Sequence, residues 1–406
     1  MTSAIPATRL LDPAVVEDPN DFYRQLRSEA PVWEIPGTGL FTVSTFELLS
    51  EASARVEDFS SRISFLLYRG NAGLPQRWSY GDIGSQALAA ADPPEHTLHR
   101  KTVFPELVAK RMSGLEPDIT DLATSLIGAA IARGGADFMT SVADIVPITI
   151  ISRLIGFAGS DLGQLRAAAF DSTAMLGATL SLDELMTCVG RTAEIQEWIA
   201  AQLAEAVTHP EETLLGTVAR AVTNGTLNDF QAIIILHTLL SAGGETTTSL
   251  LGNAVRILAE EPALQQHLRD QPAAIPSFVE EALRLESPFR FQMRSVPRDT
   301  TLGGVEIPAG STLLLLYGAA NRDDAEFDRA DEIDLARPQP RLHLSFGRGI
   351  HHCVGAHLAR VEARAVLTVL LNTTSNFTLD PNSPPQRVNS LMVRRHGHLP
   401  LRLTPA

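Results

Sequence analysis

One short run constrains this chain more than any other: Phe346-Gly347-Arg348-Gly349-Ile350-His351-His352-Cys353-Val354-Gly355. A single cysteine closes a glycine-punctuated turn, and a helix-forming run from Ala356 to Arg364 follows at once. Gly347 and Gly349 admit backbone angles closed to other residues, so the chain can fold tightly about one sulfur. Backbone N–H groups then point at that sulfur, and the positive end of the following helix favours a thiolate there. Gly355 has no side chain, which lets a flat group lie against the backbone. Such a turn suits one thiolate ligand on a metal whose other ligands come from a macrocycle.

A lone cysteine is most often a small buried hydrophobe, and Cys188, in Leu185-Met186-Thr187-Cys188-Val189, reads that way. Around Cys353 the glycine spacing, His351 and the immediate helix start reverse those odds. The stretch resembles the haem-binding loop of the cytochrome P450 family, Phe-Gly-x-Gly-x-His-x-Cys-x-Gly, with every fixed position filled. The resemblance implies a mainly α fold with small β-sheets. It also implies haem b between a long central helix and the cysteine-loop helix, with Cys353 as iron ligand beside Phe346, Gly347 and Gly355.

At 406 residues the chain has room for two or three domains. Its even composition, without repeat, low-complexity tract or linker, predicts a single domain over 1–406. Hydrophobic residues at 44% and charged residues at 20% are those of an ordinary globular protein. Met1 to Asn20 lacks the basic start and apolar run of a secretory signal, and no run approaches the ~20 apolar residues that cross a bilayer. A cytoplasmic, unanchored monomer is expected. Two cysteines exclude a disulfide framework or a paired-cysteine zinc motif. A net charge of −14 argues against nonspecific binding to nucleic acid or anionic membranes.

Residues 21–27 read as a short helix, followed by a hairpin of Val32–Ile35 and Leu40–Val43 around Pro36-Gly37-Thr38-Gly39. Ser60 to Ala91 reads as irregular and rich in aromatics, a functional lid or loose surface. From His96 to about Ala206 the spacing is helical, with breaks near Gly134-Gly135, Gly156–Gly159 and Gly177. A long helix runs from Asn228 or Asp229 to Glu261. Strand-like pieces at Val305–Ile307 and Thr312–Leu316 precede an irregular polar stretch, Asn321 to Leu342.

The long helix contradicts itself at Ala242-Gly243-Gly244-Glu245-Thr246-Thr247-Thr248, where glycines and threonines cost up to ~1 kcal/mol each against alanine. Gly243 and Gly244 let the backbone open or kink, and Glu245 and Thr246 offer an acid and an alcohol. A helix–helix contact at small residues is the competing reading. The run resembles the family's oxygen-activation helix, which makes Glu245 and Thr246 the proton relay and favours O₂ over peroxide as oxidant. Glu281 and Arg284 resemble the family's Glu-x-x-Arg structural lock, with Arg337 as its third member. His96 and Arg100, four apart on one helix face, resemble a His-x-x-x-Arg propionate clamp, joined by Arg294 and His351; His343 either joins them or caps its turn.

In the family's order these motifs cover nearly the whole chain and imply a monooxygenase. It would insert one atom of O₂ into a hydrophobic small molecule, with electrons from NAD(P)H through ferredoxin reductase and ferredoxin. A haem-thiolate ligand or gas sensor, or a peroxide-driven member of the fold, are the alternatives. Pocket walls are expected from 60–91, 170–187, 238–246, 288–293 and 390–393, with Phe289 facing substrate. Arg290 would either favour an acidic substrate or sit in a structural ion pair. Arg348, Arg360, Arg364, Lys110 and Arg111 are the candidates for a basic donor-docking patch.

Overall fold

The computed structural model describes residues 5–81, 87–157 and 160–406, so parts of the Ser60–Ala91 stretch and of the Gly156–Gly159 break lie outside it. Helix α1 (Asn20–Glu29) leads into strands β1 (Val32–Ile35) and β2 (Leu40–Val43), which pair antiparallel from Ile35↔Leu40 outward. The 60–91 stretch departs from expectation by forming a hairpin, β3 (Phe65–Arg69) with β4 (Pro75–Ser79). Neither strand alternates polar and apolar residues cleanly, and the loop, closed by the Gly70 N–H on the Leu74 carbonyl, is longer than the tight two-residue turns. A further unforeseen strand, Gly135–Asp137, pairs with the C-terminal strand Pro400–Pro405, which also pairs with Thr374–Leu379.

Helices α3 (Val146–Ile155), α4 (Leu162–Ala174) and α5 (Leu182–Thr208) pack on α6 (Asp229–Glu260), while α2 (Glu95–Val103) packs on the helix Leu214–Thr223. Helix α3 ends where expected, at a left-handed Gly156. The 32 residues of α6 span about 48 Å at 1.5 Å per residue. Its start is fixed by a capping box in which Asn228 accepts from the Gln231 N–H and the Gln231 side chain accepts from Asn228. Apolar residues on most of its faces are buried, the pattern of a helix at the centre of a core.

Helix α7 (Ile275–Leu285) precedes strands β5 (Gln292–Ser295) and β6 (Thr312–Leu315), and a short hairpin of Thr300–Leu302 with Val305–Ile307 lies between the two. The main sheet has the order β1-β2-β6-β5, with β2 and β6 parallel. An isolated bridge from Ser60 to Ser295 ties the chain before the first hairpin of the lid region to the edge strand that carries Arg294. After the polar stretch, helix α8 (Ala356–Thr373) runs directly out of the cysteine turn and packs on α6 and α7. The architecture is mainly helical with small separate sheets, as expected.

Candidate haem-thiolate site

The turn around Cys353 is held from behind. Gly347 and Gly349 adopt φ of +66° and +72°, which an L side chain rarely tolerates. The Cys353 N–H donates to the Phe346 carbonyl at 2.8 Å. The Asn321 side chain accepts from the Leu344 N–H at 2.7 Å and donates to Ser287 and Ser345 hydroxyls. The buried Arg284 guanidinium grips Glu281 at 2.8 and 2.9 Å and donates onward to the carbonyls of Asn321, Ala330 and Glu332. Arg337 reaches the same Glu281 carboxylate at 3.0 Å. The charges are thus paired and hydrogen-bonded, the condition under which buried ions are tolerated.

Cys353 lies deep in the molecule yet its side chain is accessible, so the sulfur faces a cavity. Burial pushes the thiol up, while the N–H groups of Gly355 and Ala356 and the charges of Arg100 and Arg360 pull the other way. A side chain at Gly355 would begin 3.9 Å from that sulfur. Cys188 is buried on α5 against Met175 and Leu185; burial and Asp171 push its thiol up, and Arg191, which donates to its sulfur, pulls the other way.

The four basic residues foreseen as propionate partners come together from three separate segments. The His96 and His351 rings lie tilted at 46° with centroids 4.1 Å apart, and His351 Nε2 meets the Ser61 hydroxyl at 2.9 Å. Burial, then Arg294, His96 and Arg100, depress His351 to about 3. Among the described residues neither Arg100 nor Arg294 has a carboxylate partner; Arg294 donates only to the Met293 carbonyl. This interior positive field beside the sulfur fits a dianionic group. His343 is elsewhere: it is buried against Glu280 at 3.0 Å, and its Nδ1 accepts from Ser345 N–H, which caps the turn.

α6 runs as one uninterrupted helix through Gly243-Gly244, so the backbone does not open there. The glycines are needed instead by neighbouring helices. A Cβ at Gly243 would fall 2.7 Å from Ile151 of α3, and one at Gly244 3.2 Å from Ile148. Thr238, Ala242 and Thr246 form a partly accessible stripe along an otherwise buried helix. The Thr246 hydroxyl donates to the Ala242 carbonyl at 2.6 Å, leaving its lone pairs free. Glu245 is buried; Arg395 donates to its Oε1 at 2.8 Å, and among the described residues its Oε2 has no partner. Burial raises Glu245 to about 7 despite Arg395.

Arg395 was not foreseen; of the two consecutive arginines Arg394 is the buried one, held by Glu286 at 2.8 Å, while Arg395 is half-buried and turns to Glu245. Arg290 is buried and donates to the Val16 and Ser390 carbonyls; among the described residues no carboxylate pairs with it, so the expected structural ion pair is not formed. Phe289 packs, half-buried, against the cluster that contains Phe65, Leu67 and Leu391. Arg360 is removed from the expected docking patch, since it is held by Glu280 at 2.7 and 2.9 Å. Arg111 is likewise engaged by Glu106.

The sequence model of the family described as Cytochrome P450 matches residues 274–399. Cytochrome P450 144 of Mycobacterium tuberculosis is 37% identical over 403 residues, 99% of this chain and 92% of that protein. The chain belongs to the cytochrome P450 family. Its relatives include cyclomarin C epoxidase of Salinispora arenicola, 31% identical over 87% of this P450 and 88% of that enzyme. Among solved structures, CYP109E1 from Bacillus megaterium, in complex with testosterone, superposes with a TM-score of 0.85. It is 26% identical and covers 96% of this P450 and 99% of its own chain. Membership implies a haem-thiolate cofactor and monooxygenase chemistry, with O₂ and a small molecule as substrates. No helix among the described residues is long and apolar enough to cross a membrane.

Proposed function

We propose that this P450 binds haem b and inserts one oxygen atom into an apolar substrate, with electrons from NAD(P)H through a reductase and a ferredoxin. The observation that carries the reading is the pairing of an accessible, N–H-lined Cys353 sulfur with an uncompensated basic set, opposite the Glu245–Thr246 pair. Haem, when bound, supplies the iron at which O₂ is reductively cleaved.

In this reading Cys353 would hold the iron, and His96, Arg100, Arg294 and His351 would hold the carboxylates of the group. Phe346, Gly347 and Gly355 shape the surface against which it lies. Glu245, protonated up to about pH 7, passes a proton through water to Thr246. The threonine hydroxyl then presents it to the cavity by rotating off the Ala242 carbonyl. A sensor has no use for a carboxyl poised near neutrality beside an alcohol, which favours turnover.

The substrate walls are apolar: Leu66, Tyr68 and Trp78 of the hairpin pack with Met175, Leu180 and Met186. They favour a bulky hydrophobic guest, as do relatives that carry testosterone or oxidise cyclomarin C. The test is a Soret-shift screen that starts from testosterone and cyclomarin C, followed by NADH consumption with ferredoxin and its reductase. Thr246→Ala should leave the CO spectrum intact and divert electrons to peroxide or water. An unchanged ratio of product to NADH would remove Thr246 from the mechanism.

A further inference from the structure

Glu245 is buried, so a proton must reach it from somewhere, and the arrangement behind it supplies a route. Asp144 closes the π-helical turn Met139–Ala143 just ahead of α3. The Thr248 hydroxyl donates to the Ala143 carbonyl at 2.8 Å, which ties that turn to α6 one turn beyond Glu245. Asp144 is buried, and among the described residues its Oδ1 has no partner, like Glu245 Oε2 and the Ser241 hydroxyl on the preceding turn of α6. Its other oxygen lies 3.9 Å from Arg166 of α4, whose side chain is 39% exposed. Arg395 stacks over Phe170 at 4.2 Å, donates to Glu245, and acts electrostatically on both carboxylates. Unpartnered oxygens on separate side chains are the lining that a buried water needs.

We propose that Asp144 passes protons from solvent beside Arg166 to Glu245, with Arg395 holding the two carboxylates in place, so that protons enter between α3, α4 and the C-terminal strands. The proposal rests on the relay reading of Glu245 and Thr246. Inserting one oxygen atom takes RH, O₂, two electrons and two protons to ROH and water. The electrons come from NAD(P)H through the iron–sulfur donor, and Asp144 regains its proton from water each cycle. Burial raises Asp144 to about 6 against Arg395 and Arg166, with Asp137 adding to the rise. Burial raises Glu245 to about 7 against Arg395, with Asp144 and Asp171 adding.

The experiment uses the haem-loaded Asp144→Asn, Asp144→Glu, Glu245→Gln and Thr246→Ala proteins, driven by NADPH with a plant-type ferredoxin and its reductase. Guaiacol oxidation by added hydrogen peroxide is measured in parallel, since peroxide brings its own protons and electrons. Asp144→Asn should slow NADPH-driven turnover about fivefold or more and raise its solvent deuterium isotope effect, with guaiacol oxidation within about twofold of wild type. Asp144→Glu should recover most of the loss. The infrared carboxyl band that Glu245→Gln abolishes should titrate at lower pH in Asp144→Asn, because a neighbouring negative charge is gone. Wild-type turnover and isotope effect in Asp144→Asn overturn the inlet, and so does an equal loss in both assays, which marks a structural residue. If Glu245→Gln and Thr246→Ala are also silent, the relay reading itself falls.

Discussion

The two cysteines show how much a residue's role depends on what is aimed at it. Cys353 receives two backbone N–H groups and the fields of two arginines, whereas Cys188 sits among apolar side chains beside a carboxylate. A bound metal cation tips the first sulfur fully to thiolate. Cys353→Ala should therefore abolish the red-shifted Soret band of the ferrous–CO protein, and Cys188→Ala should leave it in place. Loss of the band in Cys188→Ala would refute the loop assignment. At this scale the sequence was most legible where a motif is local: the glycine spacing announced the turn, and His96 and Arg100 sit four apart on one helix. Arg395 and Asp144 were illegible because their meaning arises only when the C-terminal strands and the start of α3 meet α6. Arg360 was misjudged for the same reason, since Glu280 lies far from it along the chain.

Elements were legible where capping and periodicity agree, as in α6 with Asn228 before it and Pro262 after it. The β3–β4 hairpin was missed because its order comes partly from tertiary contact: the Arg69 N–H donates to the Leu180 carbonyl at 2.8 Å. Gly243 makes a test of helix packing. Alanine there gains up to ~1 kcal/mol of helix propensity, but its Cβ meets both the Cγ1 and, at 3.3 Å, the Cβ of Ile151. Overpacking of ~1–3 kcal/mol should win, lowering the thermal midpoint, with partial relief in an Ile151→Ala background. A midpoint at or above wild type would mean that α3 shifts freely. Glu280 tests the support beneath α8. Burial raises its pKa, but hydrogen bonds and charge from His343 and Arg360 prevail and hold it at about 2. A depressed carboxylate stabilises the fold above its unfolded value of 4.5 and loses that contribution as pH falls towards 2. The shift corresponds to about 3 kcal/mol at neutral pH. Glu280→Gln should lower urea stability by that order at pH 7 and much less near pH 2, and an equal loss at both pH values would assign the effect to packing.

For the whole molecule, a charge of −14 opposes approach by an acidic donor, so an electron-transfer partner of that kind needs a local exception. The structure relocates the exception. With Arg360 committed to Glu280, the remaining candidates lie around His357: Arg364 is half-buried, and the exposed Arg341 also reaches Glu280 at 3.7 Å. Arg364 and Arg341 act on that ring from two segments, and Ser113 meets His357 at 2.7 Å, which places the short helix bearing exposed Lys110 alongside. Two arginine substitutions then separate docking from folding. Arg364→Glu should slow the first reduction by a plant-type ferredoxin about tenfold at low ionic strength. The difference should shrink as salt shortens the screening length to ~8 Å and below, with substrate-induced Soret shifts unchanged. Arg360→Glu should instead bury a second carboxylate against Glu280, and so reduce stability and haem retention before any docking defect is reached. If stopped-flow reduction is indifferent to salt and to Arg364→Glu, the donor docks on another face, and the cations around His357 serve only to balance the helix dipoles and acids near them.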